Sequence, residues 1–120
     1  AAAIQAHPDL KGIYTTHSNA AVGTSSAVIG AGLGGKVKII AYDADPQQVR
    51  DLKDGVHDAL VVQSPYLEGY YSVKLVTQIL RGEVDPATLE DVAYPPMVVA
   101  TRDNLDSPEV KQGLYVDACP

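Results

Sequence analysis

Three short stretches carry side chains able to engage a small molecule: Thr16-His17-Ser18, Tyr42-Asp43-Ala44 and Gln63-Ser64-Pro65. Together they offer a ring that donates or accepts, a carboxylate that only accepts, an amide that does both, and an aromatic face. The set suits noncovalent capture of a polyhydroxylated molecule. A carboxylate takes hydrogen bonds from two adjacent hydroxyls while an aromatic covers the apolar face of a ring. Each group also has a plainer reading: His17 as a loop residue beside a helix start, Asp43 as a helix cap, Gln63 as a polar strand end and Tyr42 as core. Their shared placement at three consecutive strand ends favours recognition.

That placement depends on the elements around them. Residues 12–16 are short, β-rich and bounded by glycine and polar residues, so they predict a strand ending at His17. Ser18 then caps a helix through about residue 31, with Ala21, Val22, Ser25, Val28 and Ile29 at helical spacing and Gly30, Gly32, Gly34 and Gly35 stopping it. Val37 to Ala41 predict a second strand, after which Asp45-Pro46 caps and opens a helix carrying Val49 and Leu52 inward and ending at Gly55. Residues 59–62 form an apolar run expected of a strand covered on both faces, ending at Gln63. Ser64-Pro65 caps a helix from Tyr66 to about Arg81 whose apolar stripe is too broad for an exposed helix, so it must pack against something sizeable. Residues 84–96 are a turn-rich connection in which Pro86, Pro95 and Pro96 exclude long regular structure. A last strand at 97–100, a polar loop at 101–106 and a helical turn at 108–112 follow. The alternation predicts an α/β fold with a parallel sheet and right-handed crossovers. In such a sheet the strand ends line one edge, where open α/β folds bind ligands and where helix starts point amide donors.

Composition excludes several classes. The 120 residues have the length of one domain, and nine Lys and Arg against 15 Asp and Glu give a net charge of −6, which disfavours nucleic acid and anionic lipid. The longest apolar runs reach about half of the roughly 20 residues a membrane helix needs. Cys119 is the single cysteine, so no intrachain disulfide forms. His7, His17 and His57 lack metal-ligand spacing, which predicts no metal and no cofactor. Gly30 to Gly35 satisfy the letters of a dinucleotide fingerprint but follow a helix and precede a strand, the reverse of the required order. No nucleophile elbow is present, and the strand ends lack the clustered acids of a phospho-receiver domain. Nothing here argues for an enzyme. The first six residues lack the basic start and apolar run of a secretory signal and read as the middle of a helix, which suggests a piece of a longer protein.

Four blocks in register, HPDLKGIYTTHSNAAVG, GLGGKVKIIAYDADPQQVRDLKDG, DALVVQSPYLEGYYSVKLVTQILRG and VVATRDNLDSPEVK, resemble the C-terminal half of type I periplasmic sugar-binding proteins, the ribose-binding-protein-like group that serves ABC transporters. The resemblance implies a parallel-sheet, Rossmann-like lobe, incomplete in this chain, in a protein whose two lobes close on a monosaccharide or related polyol. It implies that residues 1–63 belong to the C-terminal ligand-binding lobe, that 64–96 make a hinge crossing and a helix packed on the other lobe, and that 97–120 are a C-terminal strand and return segment. By position, Tyr42 falls where an aromatic stacks on the sugar, Asp43 where a carboxylate accepts from hydroxyls, and Gln63 at the lobe crossing. His17 stands where the group often has Asn, and Ser18 where Asp is frequent, departures that bear on which ligand is taken. ABC permease subunits as partners and a periplasmic or extracellular location, with or without a membrane anchor upstream, are implied as well. So is the remainder of the same protein, or a companion chain, to complete the ligand shell. The alternative is the effector domain of a LacI-type regulator, which shares the fold and whose DNA-binding domain would lie upstream.

Overall fold

Strand β1 (Gly12–Thr15) follows a short helix α1 (Ala2–Ala6), and helix α2 (Ser18–Gly30) leads to β2 (Lys38–Tyr42). Helix α3 (Pro46–Lys53), β3 (Ala59–Val62), helix α4 (Pro65–Leu80), a 3-10 turn (Pro86–Thr88), β4 (Val98–Ala100) and helix α5 (Pro108–Gly113) complete the order. The computed structural model describes residues 1–89 and 97–116. Pro95 and Pro96 of the expected turn-rich connection, and Cys119, lie outside the described residues.

The sheet runs β1-β2-β3-β4, with β1, β2 and β3 parallel. Only the fourth strand departs from the expected parallel sheet: β4 is antiparallel to β3, pairing Leu60 with Ala100 and Val62 with Val98. The reason is the route of the chain. β3 exits into α4, which does not cross back over the sheet, so the chain re-enters from the end where β3 left and must run the opposite way. A short edge strand results, and Asn104 closes the loop after it by donating from Nδ2 to Val99 O and accepting the Thr101 N–H.

Strand pairing sorts the side chains by face. Ile39, Ala41, Leu60, Val62 and Ala100 point to the covered side, where Ala21, Leu52, Leu105 and Val110 meet all of them but Ile39. A second cluster joins Val28, Val37 and Ile39 with Ile4, Leu10, Ile13 and Leu33. Tyr14, Ile40 and Val99 point the other way and are exposed, with Tyr42 and Val61 on the same face. The run at residues 59–62, expected to be covered on both faces, is fully covered on one: Leu60 and Val62 are buried, while Ala59 and Val61 on the other face are only partly buried. On α2 the buried positions are Ala21, Ser25 and Val28, whereas Val22 and Ile29 of the same expected stripe are exposed.

Local signals explain the helix ends. Asp45 accepts from Gln48 N–H while Gln48 Oε1 accepts the Asp45 N–H, a complete capping box with Pro46 at the first helical position. Gly55 takes φ +78° just past the helix, as a left-handed end requires. Ser64 sits at the start of α4, but its hydroxyl makes no capping bond and is buried without a partner among the described residues. α4 buries none of its residues, leaving Tyr66, Tyr70, Val73, Val76 and Leu80 exposed. Its projection stretches the molecule to a radius of gyration of 17.9 Å, against about 14 Å for a compact chain of this length. The apolar stripe that should pack against something finds nothing among the described residues.

One polar cluster lies inside the core. His57 is fully buried, its Nε2 2.8 Å from Ser25 Oγ and 3.8 Å from Asp51 Oδ2, so it joins α2 to α3. Its Nδ1 has no hydrogen-bond partner among the described residues, and serine and carboxylate share one ring nitrogen, an arrangement without the base-orienting bond of a hydrolytic triad.

Candidate functional site

The site begins with a backbone irregularity. Asp43, directly after β2, has φ +79°, the only non-glycine residue with positive φ among those described. Aspartate tolerates this region better than most residues because its short side chain bonds locally. Asp43 N–H still donates to Val61 O, so the turn stays attached to β3. The left-handed step departs from strand alternation and brings the carboxylate to a junction of three segments.

There both of its oxygens accept hydrogen bonds. Oδ2 accepts the Ser18 N–H at 2.9 Å, at the start of α2, and Oδ1 accepts Gln63 Nε2 at 2.6 Å and the Tyr115 hydroxyl at 2.7 Å. Asp43 is consequently buried. Gln63, one residue past β3, also donates from Nε2 to the Tyr115 hydroxyl at 2.8 Å, and its Oε1 lies 3.3 Å from the Tyr42 hydroxyl. Tyr42 has a second acceptor in Met97 Sδ, also at 3.3 Å. Burial, followed by the charges of Glu68 and Asp43, raises the Tyr42 phenol above its ordinary value, so it remains a neutral donor.

Two residues support this edge that strand ends alone did not reveal. Gln48, fully buried, donates from Nε2 to Tyr42 O at 2.6 Å and fixes the end of β2. Its signal was present as Asp45-Pro46-Gln47-Gln48, the capping-box spacing. Tyr115 arrives from the segment after α5, held by its N–H on Ala44 O at 3.1 Å. No local pattern marks it.

Of the four candidate residues, Tyr42, Asp43 and Gln63 form one hydrogen-bonded cluster. His17 stands apart from that cluster. It, and not Ser18, is the N-cap of α2: Nδ1 accepts the Ala20 N–H at 3.3 Å, and Ser18 is the first helical residue with its amide on Asp43. The imidazole is exposed, and an accepting Nδ1 leaves the proton of a neutral ring on Nε2, a donor facing out. Among the described residues no group of three His, Cys, Asp or Glu is placed to hold a metal ion, and no helix is long and apolar enough to cross a membrane. What the edge offers chemically is polar recognition: carboxylate, amide, phenols, imidazole and helix-start amides.

Comparison with known proteins agrees with this chemistry. Residues 1–84 match the family model of a periplasmic binding protein domain. The D-ribose/D-allose-binding protein of Pseudomonas aeruginosa is 29% identical over 100 residues, an overlap of 83% of this chain and 31% of the relative. The D-allose-binding periplasmic protein of Escherichia coli is 32% identical over 84 residues, 69% of this chain and 27% of the relative. Among solved structures, an ABC transporter solute binding protein from Agrobacterium vitis with bound D-fucose superposes with a TM-score of 0.82 at 33% identity, covering 95% of this chain and 38% of that one. The chain thus spans about a third of the length of the proteins it matches.

Proposed function

The chain belongs to the periplasmic binding protein family, and on that premise we propose that it forms part of the sugar-binding component of an ABC transporter, holding a monosaccharide or related polyol without altering it. The observation that carries this reading is the convergence of Asp43 and Gln63, 2.6 Å apart, at the carboxyl ends of neighbouring parallel strands. The relatives named above bind ribose, allose and fucose, all of them sugars. Asp43 accepts from ligand hydroxyls, Tyr42 covers a sugar face, Gln63 lies where the chain crosses between lobes, and His17 turns an Nε2 donor toward the ligand.

The segment assignment belongs to the same reading. Residues 1–63 are ligand-binding lobe, 64–96 a hinge crossing with α4 docked on a second lobe, and 97–120 a strand and return segment. The bare apolar side chains of α4 support it, since an exposed stripe of that size marks an interaction surface. Closure of two lobes on the sugar then couples occupancy to recognition by a membrane permease outside the cytoplasm.

Calorimetry of the full-length protein with D-ribose, D-allose, D-arabinose and D-fucose tests the proposal, with Asp43→Ala in parallel. Binding of at least one sugar is expected, weakened at least about tenfold in the variant because a charge-assisted hydrogen bond is lost. No binding across the panel would sink the sugar reading; equal affinity in Asp43→Ala would remove that residue from the site.

A further inference from the structure

Asp43, Gln63 and Tyr115 close a ring of three hydrogen bonds. The Tyr115 hydroxyl donates to Asp43 Oδ1 at 2.7 Å and accepts from Gln63 Nε2 at 2.8 Å, while Nε2 donates to Oδ1 at 2.6 Å. The Gln63 Nε2 therefore donates to both partners, and the amide cannot turn over without breaking two bonds. Of the roughly four acceptor positions of a carboxylate, two on Oδ1 are filled from within, and Ser18 N–H takes one on Oδ2. Tyr115 is held in place by its own backbone, whose N–H bonds Ala44 O. Its phenol is pushed up to about 12, first by burial and then by the bond it donates to Asp43, so it stays a donor across physiological pH.

We propose that Tyr115 is a positioning residue of the ligand site, its hydroxyl closing Oδ1 and locking the Gln63 amide so that Asp43 is held in one orientation with Oδ2 left to meet a ligand hydroxyl. The inference rests on the sugar-binding reading and deepens it. A carboxylate already fixed by three donors loses little rotamer freedom on binding, and preorganisation of this kind strengthens affinity without adding a contact. Tyr115 acts through Asp43, and the two residues must be coupled.

The experiment is calorimetry of the full-length protein with the four sugars named above, on wild type, Tyr115→Phe, Asp43→Asn and the double variant, with thermal melting of each. Tyr115→Phe keeps the ring and removes only the hydroxyl. Expected is about tenfold weaker binding of whichever sugar wild type takes, with a melting temperature within a few degrees. In the Asp43→Asn background the same change should alter affinity less than about twofold, since coupled residues are not additive. Wild-type affinity in Tyr115→Phe, or an undiminished tenfold loss without the Asp43 carboxylate, overturns the inference while leaving sugar binding intact. A wild-type protein that takes none of the sugars overturns the functional reading and this inference with it.

Discussion

The Ser18 amide donates to Asp43 Oδ2 across 2.9 Å, joining the helix start after β1 to the turn after β2. One carboxylate thereby satisfies an orphan donor of α2 and ties together the neighbouring ends of two parallel strands. The proposed binding role of Asp43 and its part in stability thus fall on one residue, and only the choice of substitution separates them.

Asp43→Gly and Asp43→Ala both remove the carboxylate, but φ +79° is open to glycine and strained for alanine. The glycine variant should be the more stable of the two by about 1 kcal/mol, with both below wild type. Urea unfolding of the pair measures this. An alanine variant as stable as the glycine one would show that the turn relaxes and that no strain is held there.

Gln63→Glu replaces a donor 2.6 Å from Asp43 Oδ1 with a second carboxylate. Two like charges at that distance raise one of the two pKa values. A raised folded-state value contributes stability at low pH and loses it as pH rises, so the deficit of the variant against wild type should shrink between pH 7 and pH 4.5. Its size at pH 7 should be roughly 2 kcal/mol. Unfolding curves at the two pH values decide it, and a deficit independent of pH would mean that the side chains move apart.

His57 gives the core its own pH dependence. Burial lowers its pKa below the ordinary histidine value, outweighing the opposing charges of Asp51, Asp45 and Asp58. Lowered in the folded state, it costs nothing above about pH 6.5; below that the unfolded chain takes up the proton first and stability falls toward the folded value. Expected is a fall in stability between pH 7 and pH 5. His57→Leu should be less stable throughout, because Ser25 loses its 2.8 Å partner and keeps only the longer 3.4 Å bond to Asp51 Oδ2, yet should show a flatter slope in denaturant titrations across that range. The same slope in both proteins would place the titration elsewhere.

Much of this was legible because it is local. Apolar runs bounded by glycine and polar residues located all four strands, Asp45-Pro46 announced the start of α3, and the polar strand ends pointed to Tyr42, Asp43 and Gln63, which the fold joins. The His17 cap was not legible. An imidazole rarely wins over an adjacent serine, and here the Ser18 amide is drawn to Asp43, 25 residues away in sequence. Tyr115 was hidden for the same reason, since it lies 72 residues from Asp43 and nothing around it is periodic. The direction of β4 depends on where α4 takes the chain, information that no local window holds.

Gly113 ends α5 against the end of β3, beside Val62 and Gln63. A Cβ there would lie 2.5 Å from Val62 Cγ1 and 3.2 Å from Gln63 O. Alanine would gain up to about 1 kcal/mol of helix propensity, but overpacking costs about 1–3 kcal/mol, and the Gln63 carbonyl is ladder-end backbone with little room to yield. Gly113→Ala should therefore destabilise by about 1–2 kcal/mol net. On the proposed sugar-binding reading it should also weaken sugar binding, because the displaced backbone belongs to Gln63. Gln112→Ala, on the exposed side of the same helix, should stay within about 0.5 kcal/mol of wild type. Denaturant unfolding alongside sugar calorimetry reads both effects; a Gly113→Ala protein as stable as wild type would show that α5 shifts freely away from β3.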